Sequence, residues 1–98
     1  MAVTFAPVAL QDIEEIGDYI HAENPLAALR LVAALRARCA GIADMPSIGA
    51  PRPSLWPHLR SVSFRRYVIF YTTDGTDVRI ERVLHGARDI DALFAEND

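Results

Sequence analysis

Apolar side chains recur every three or four residues through the first half of the chain. Residues 7–22 carry the stripe Leu10, Ile13, Ile16 and Ile20, with acidic and amide side chains between its members. Residues 25–44 carry the stripe Leu31, Val32, Leu35, Cys39 and Ile42. This spacing predicts two amphipathic helices. Asn24 and Pro25 supply an N-cap and a first-turn residue for the second helix. The link is so short that the helices form a hairpin, and Gly17 allows their close approach.

The second half has the pattern of a sheet. Residues 59–64, 67–71 and 78–85 are rich in β-branched and aromatic residues, and residues 3–5 form a shorter run of the same kind. Asp74-Gly75 predicts a type I′ hairpin between the last two strands, because both central residues of that turn need a positive φ. The element order predicts an α+β fold. An N-terminal strand and a helical hairpin precede a three-stranded antiparallel meander, and one twisted sheet packs on the helices.

Three further segments bear on how the sheet is covered. Residues 45–58 contain four prolines and predict an ordered surface loop, which carries Trp56 either as a lid over the helical hairpin or as an interface anchor. Residues 67–71 are apolar on both alternating faces, which predicts that a partner segment covers the second face. Residues 90–94 predict a last helical turn on the sheet edge.

The side chains expected in the core follow from these stripes and alternations. They are Leu10, Ile13, Ile16, Ile20, Leu31, Leu35, Cys39, Ile42, Val62, Phe64, Ile69, Val78 and Ile80.

The bulk composition narrows the class of protein. Ninety-eight residues with 51% hydrophobic content predict one folded domain spanning residues 1–98. Cys39 is the only cysteine, so an internal disulfide is excluded. No apolar run reaches membrane length and no basic leader is present, which predicts a cytoplasmic protein. Three scattered histidines with one cysteine lack metal-ligand spacing, and we expect no metal and no cofactor.

Positive charge is concentrated in the second half. Residues 52–88 hold seven arginines against three acidic residues, whereas the whole chain has a net charge of −3 and no lysine. A pI near 5.5 argues against direct binding of free nucleic acid. We expect one end of the sheet to gather Arg60, Arg65, Arg66, Arg82 and Arg88. Such a group is either a docking patch for an acidic partner or ordinary solvated charge. His85 is either an acid–base group or a cap on backbone groups beside Gly86.

Several pieces in this order resemble the ParE branch of the RelE/ParE toxin superfamily. They are residues 12–20, Asn24-Pro25, Pro46 with Gly49 and residues 51–53, Leu59-Arg60, residues 66–71 and residues 85–89. The resemblance covers nearly the whole chain. It implies the toxin of a type II toxin–antitoxin system, neutralised by a ParD-like antitoxin and inhibiting DNA gyrase by binding. One departure is Arg65, which stands where relatives often have glycine.

The same superfamily suggests two other functions. RelE-like members are ribosome-dependent endoribonucleases that cut messenger RNA, a reaction that needs a proton acceptor and a proton donor. Phe94 stands at the place that resembles the ribonuclease tyrosine, and Val68 at that of an arginine, although Arg88 matches a basic residue of that branch. The third alternative is a toxin-fold binding module without activity. We therefore expect no catalytic residues. The predicted partner-binding residues are Trp56, Arg60, Arg65, Arg66, Arg82, His85 and Arg88.

Overall fold

The part of the chain that the structure describes folds as a strand, two long helices, four further strands and a short last helix. The computed structural model describes residues 2–95. Its elements are β1 (Val3–Phe5), α1 (Pro7–His21), α2 (Pro25–Ile42), β2 (Ala50–Pro51), β3 (Arg60–Phe64), β4 (Tyr67–Thr73), β5 (Val78–His85) and α3 (Ile90–Ala95). The strands form one sheet in the order β1-β5-β4-β3-β2, with β1 parallel to β5 and the other pairs antiparallel. The predicted α+β class and meander are confirmed.

The helical hairpin is also confirmed, with ends within two residues of those predicted. The Asn24 side chain accepts a hydrogen bond of 3.0 Å from the amide of Ala27, which satisfies one of the free amides at the start of α2. A Cβ atom on Gly17 would lie 3.1 Å from Cγ2 of Val32. The missing side chain at position 17 therefore lets α1 and α2 pack closely. Within residues 2–95, no helix is both long and apolar enough to cross a membrane.

The proline-rich segment contains a strand that the sequence did not indicate. Residues Ala50 and Pro51 pair with Ser61 and Arg60 and form the outermost strand, β2. The buried phenol of Tyr71 fixes the preceding residues: its Oη donates to the carbonyl of Pro46 at 2.7 Å and accepts from the amide of Gly49 at 2.8 Å. The prolines of this segment lack amide hydrogens, which leaves it few donors for regular strand pairing. Hydrogen bonds to the Tyr71 side chain therefore help to order it.

The turn between β4 and β5 differs from the prediction. The strands end at the pair Thr73–Val78, so four residues connect them, and only Gly75 has a positive φ (96°). Oδ1 of Asp74 accepts hydrogen bonds from the amides of Thr76 and Asp77, at 2.9 and 2.8 Å. These bonds lower the pKa of the Asp74 carboxyl. The prediction of a type I′ turn was wrong, because the Asp74 side chain organises a longer turn between the two strands.

The main core lies between the helical hairpin and one face of the sheet. Nine predicted core residues are buried in it: Ile13, Leu31, Leu35, Cys39, Ile42, Val62, Ile69, Val78 and Ile80. Three more, Ile16, Ile20 and Phe64, are partly buried against it. The prediction was wrong for Leu10, which is 42% exposed. Ala9 is fully buried, and the core-facing stripe of α1 runs through it.

A second cluster covers the opposite face of the sheet. It buries Leu59, Phe70, Leu84 and Phe94, and the partly buried Trp56 packs against it. The rings of Trp56 and Phe94 meet edge to face at 5.4 Å, as do those of Phe70 and Phe94 at 4.8 Å. Trp56 is thus no lid over the helical hairpin, and α3 lies on the sheet face rather than its edge. The prediction that a partner covers this face was wrong, because the chain covers Phe70 itself.

Candidate partner-binding site

Three arginines and a histidine meet where the β3–β4 turn reaches the end of β5. Arg65 and Arg66 form the turn, since Phe64 pairs with Tyr67 and Tyr67 pairs with His85. The carbonyl of Arg66 accepts from the amide of Gly86 at 2.9 Å, and the carbonyl of His85 accepts from the amide of Arg88 at 3.1 Å. These bonds hold the turn and the segment after β5 together. We call Arg65, Arg66, His85 and Arg88 the arginine end.

Arg65 has an unusual backbone conformation. Its φ is +55°, in the left-handed region that glycine or asparagine adopts most readily. A positive φ at the first central residue of a two-residue hairpin normally favours glycine. The guanidinium of Arg65 lies 5.0 Å from the centroid of the Phe64 ring, a cation–π contact that holds this exposed side chain against β3.

Two of the predicted arginines lie elsewhere, and the expected convergence of all five was wrong. Arg60 is at the other end of β3, beside Tyr71 in the register, where its guanidinium donates to the carbonyls of Ser47 and Gly49 at 3.2 and 2.7 Å. Arg82 is 8% exposed and faces α1. Arg60 therefore holds the proline-rich segment, and Arg82 belongs to a buried ion pair.

That ion pair joins α1 to β5. The guanidinium of Arg82 donates from Nε and Nη2 to the two carboxylate oxygens of Asp12, at 2.8 and 3.0 Å. Oδ2 of Asp12 also accepts from the amide of Val83 at 3.0 Å. The pairing of β1 with β5 extends only to Ile80. Asp12 therefore accepts a hydrogen bond from an amide of β5 that has no neighbouring strand to bond. The pairing of β4 with β5 is irregular at Glu81, and this irregularity helps to turn the Arg82 side chain toward Asp12.

A cleft of about 570 Å³ opens between α1 and the arginine end. We call it the α1 cleft; it is lined by Asp12, Glu15, Ile16, Tyr19, Ile20, Arg66, Tyr67, Val83, His85 and Arg88. Apolar side chains of the helix and the sheet face each other across it, and Tyr19 stands at its rim with 84% of its surface exposed. The cleft thus combines an apolar interior with two exposed guanidinium groups.

His85 and Tyr67 lie together in this cleft. Their rings meet edge to face with centroids 5.5 Å apart. Nδ1 of His85 accepts a hydrogen bond from the amide of Ala87 at 3.0 Å, so this nitrogen caps the turn that carries Arg88. The capping interpretation of His85 is confirmed, and the other ring nitrogen is the one with capacity for a further bond.

The other positions relevant to catalysis carry no acid–base group. Phe94 is 1% exposed and packed between Phe70 and Trp56, and Val68 packs against the same cluster.

The thiol of Cys39 is buried in the main core. Burial raises its pKa to about 11, and this effect outweighs the opposite effect of the nearby Arg36 and Arg38, which lower the pKa. A thiol held neutral in this way is a poor nucleophile. Cys39 is a core residue, as its place in the α2 stripe predicts.

Sequence reasoning missed the helix wall of the α1 cleft. Tyr19 and Glu15 lie between the apolar positions of α1, and neither was assigned a role in binding from the sequence. The one sequence signal was Tyr19 itself, an aromatic residue among acidic side chains. Its position opposite the arginine end depends on how α1 packs against β5, which no local pattern encodes.

Comparisons with known proteins agree with this architecture. The family model described as the ParE toxin of the type II toxin–antitoxin system, parDE, matches residues 3–90. The fold is also similar to a solved chain of the chromosomal ParDE toxin–antitoxin system from P. aeruginosa. The TM-score is 0.75 at 22% sequence identity, covering 87% of this chain and 95% of that chain. No curated protein matches significantly. The chain belongs to the ParE toxin family of type II toxin–antitoxin systems.

Proposed function

We propose that this protein is a toxin that inhibits DNA gyrase by binding, and that a ParD-like antitoxin neutralises it in a cytoplasmic complex. Membership in the ParE family supports the toxin and its antitoxin partner. The observation that carries the binding mechanism is the burial of Phe94 at the place that resembles the ribonuclease tyrosine. A buried phenyl ring neither takes nor gives a proton, so this position supplies no general acid or base.

The arginine end is the part of the molecule that we assign to the target. Arg65, Arg66 and Arg88 are exposed, and guanidinium groups suit carboxylate and phosphate partners because they donate in a planar fork. Arg60 and Arg82 are engaged within the chain, by backbone carbonyls and by Asp12, and are set aside as direct contacts. Trp56 packs on Phe94 of α3 and helps to hold that helix on the sheet, so it is also set aside as a direct contact.

A supercoiling assay with purified gyrase tests this function. The wild-type chain is expected to inhibit supercoiling or to trap cleaved DNA, and Arg88→Ala is expected to weaken the effect. That variant should keep its fold, because an exposed charge change usually costs under about 0.5 kcal/mol. Arg30→Ala, on the exposed face of α2, is the matched control and should inhibit as the wild type does. Equal inhibition by Arg88→Ala would remove the arginine end from the mechanism.

One observation favours the ribonuclease as the second candidate. His85 and Tyr67 share the α1 cleft with Arg66 and Arg88, so a titratable ring, a phenol and two cations lie together there. Messenger cleavage by this site would be lost in His85→Ala. Site-specific cuts in ribosome-bound message that disappear in this variant would establish the ribonuclease, whereas intact message with the wild-type chain excludes it.

A further inference from the structure

The side of α2 that faces away from the core carries a row of apolar residues. A surface helix normally has charged and polar side chains on this side. Here five exposed positions opposite the buried side are apolar: Leu26, Leu29, Ala33, Ala37 and Ala40. The two leucines are 55% and 69% exposed. We call these five residues the α2 seam, and exposed apolar surface of this extent marks a contact with another molecule.

The order of large and small residues along the seam fits a second copy of the same seam. Both leucines lie in its first half, and alanines form its centre and its second half. If two copies of α2 pair antiparallel about Ala33, Leu26 packs on Ala40 of the second copy and Leu29 on Ala37. Such pairs of a large and a small residue suit helices that pack closely. A parallel pairing would set leucine on leucine and leave a gap between the alanines.

A groove beside the seam offers space for a leucine of the second copy. It has a volume of about 400 Å³, runs between α1 and α2, and has apolar walls at Leu10, Ile13 and Val32. Leu29 lies on the side of the seam that faces α1, because it stands between Val32 and Ala33 around the helix. A two-fold axis keeps α1 on the same side in both copies. Leu29 of the second copy therefore lies over this groove.

The charges of the two helices are complementary between copies. α1 has four acidic residues and no arginine, whereas α2 has three arginines and no acidic residue. Asp18 and Arg36 both line the groove, and neither belongs to an ion pair within residues 2–95. Gly17 packs on Val32, so Asp18 lies level with the middle of α2. Arg36 is three residues from the centre of the pairing, and the antiparallel arrangement therefore brings Arg36 of the second copy beside Asp18.

We propose that two copies of this chain form a two-fold symmetric dimer through antiparallel pairing of their α2 seams. Burial of Leu26 and Leu29 supplies the affinity, and the two Asp18–Arg36 pairs at the rim fix the orientation. Neither the seam nor the groove contains a residue of the arginine end or of the α1 cleft. Each copy in the dimer thus keeps its own arginine end. The inference goes beyond the proposed function and does not depend on it.

Sedimentation of the purified full chain tests the dimer. The wild type is expected to reach twice the mass of the chain in a concentration-dependent way. Leu29→Asp and Ala33→Glu should each weaken the dimer Kd about tenfold or more, because each buries an unpaired carboxylate in the interface. Ala92→Glu makes a matched change at an exposed position of α3 and should dimerise as the wild type does. Thermal melting shows that the fold is kept. A wild-type chain that stays monomeric, or seam variants that dimerise normally, would overturn the proposal.

Disulfide trapping tests the register. In the antiparallel pairing, Ala33 lies opposite Ala33 of the second copy, so Ala33→Cys should form a disulfide-linked dimer under mild oxidation. Ala40→Cys is the control, because the two positions 40 are about 21 Å apart along the helices and should not link. The wild-type chain corrects for any reaction of Cys39. Linking at both positions would indicate a parallel pairing and linking at neither would exclude the contact, and either result contradicts the proposal.

Charge exchange tests the orientation. Arg36→Asp should weaken the dimer several-fold, because it places two carboxylates side by side, and adding Asp18→Arg to it should restore the wild-type Kd. A double variant no tighter than Arg36→Asp would contradict the pairing. A monomeric wild type whose Leu29→Asp variant loses gyrase inhibition would overturn the dimer and assign the seam to the target. Gyrase inhibition is measured separately, so its failure is distinct from failure of the dimer.

Discussion

Asp12 and Arg82 lie 70 positions apart in the sequence and form a bidentate ion pair that fixes α1 against β5. Both side chains are nearly buried, at 5% and 10% exposure. Oδ2 of Asp12 also takes the edge amide of Val83. The pair therefore sets the position of α1 beside the end of β5, and so the width of the α1 cleft.

Removing this carboxylate is expected to destabilise the protein strongly. Asp12→Ala leaves the Arg82 guanidinium without its carboxylate, and breaking a buried pair typically lowers the free energy of unfolding by about 3–5 kcal/mol. Urea unfolding measures the loss. Asp18→Ala, an exposed change on the same helix, should cost less than about 0.5 kcal/mol. A loss below about 1 kcal/mol for Asp12→Ala would mean that the pair does not hold α1 in place.

Tyr71 is expected to hold the segment that contains β2. Tyr71→Phe removes the hydroxyl that bonds the carbonyl of Pro46 and the amide of Gly49, and leaves both groups without that partner. The free energy of unfolding should fall by about 1–3 kcal/mol. Tyr19→Phe removes an exposed hydroxyl and serves as the control, with no measurable change expected. Equal stability of the two variants would contradict this role of the Tyr71 phenol.

Position 65 is expected to prefer glycine to alanine. Arg65→Gly and Arg65→Ala both remove the charge and the contact with Phe64, but only glycine adopts a φ of +55° without strain. The glycine variant should be more stable by about 1 kcal/mol. Both should inhibit gyrase less than the wild-type chain. An alanine variant as stable as the glycine variant would show that the turn has no strain at this position.

The Cys39 thiol is expected to make stability fall at high pH. Burial raises its pKa from 9.0 to about 11, so its contribution is complete below pH 9 and is lost as pH rises toward 11. The loss should approach about 3 kcal/mol, since each pH unit corresponds to about 1.4 kcal/mol. Cys39→Ala provides the comparison, because the other titrating groups are common to both chains. Parallel stability curves over this range would exclude the effect.

The sequence predicted the elements because each buries a periodic stripe. Ile13 and Leu35 appear at helical spacing for that reason, and both are buried as expected. The second sheet face could not be assigned, because an apolar residue such as Phe70 does not reveal whether Phe94 or another chain covers it. The arginines were equally ambiguous. Arg82 lies within β5 and pairs with a carboxylate of α1, whereas Arg66 lies in the β3–β4 turn and has no carboxylate partner within residues 2–95. Both arginines stand next to apolar strand residues in the sequence, so the pattern does not tell them apart.

The most direct test of the account applies one preparation of the wild-type chain to two assays. One is supercoiling by purified gyrase, and the other is cleavage of ribosome-bound message in a translation mixture. The variant Phe94→Tyr is tested beside the wild-type chain in both assays, and its added hydroxyl is expected to create no messenger cleavage. The account predicts inhibited supercoiling or trapped cleaved DNA with the wild-type chain, and intact message with both chains. Site-specific cuts in the message with gyrase unaffected would contradict it and establish the ribonuclease, and inactivity in both assays would leave a binding module of the same fold.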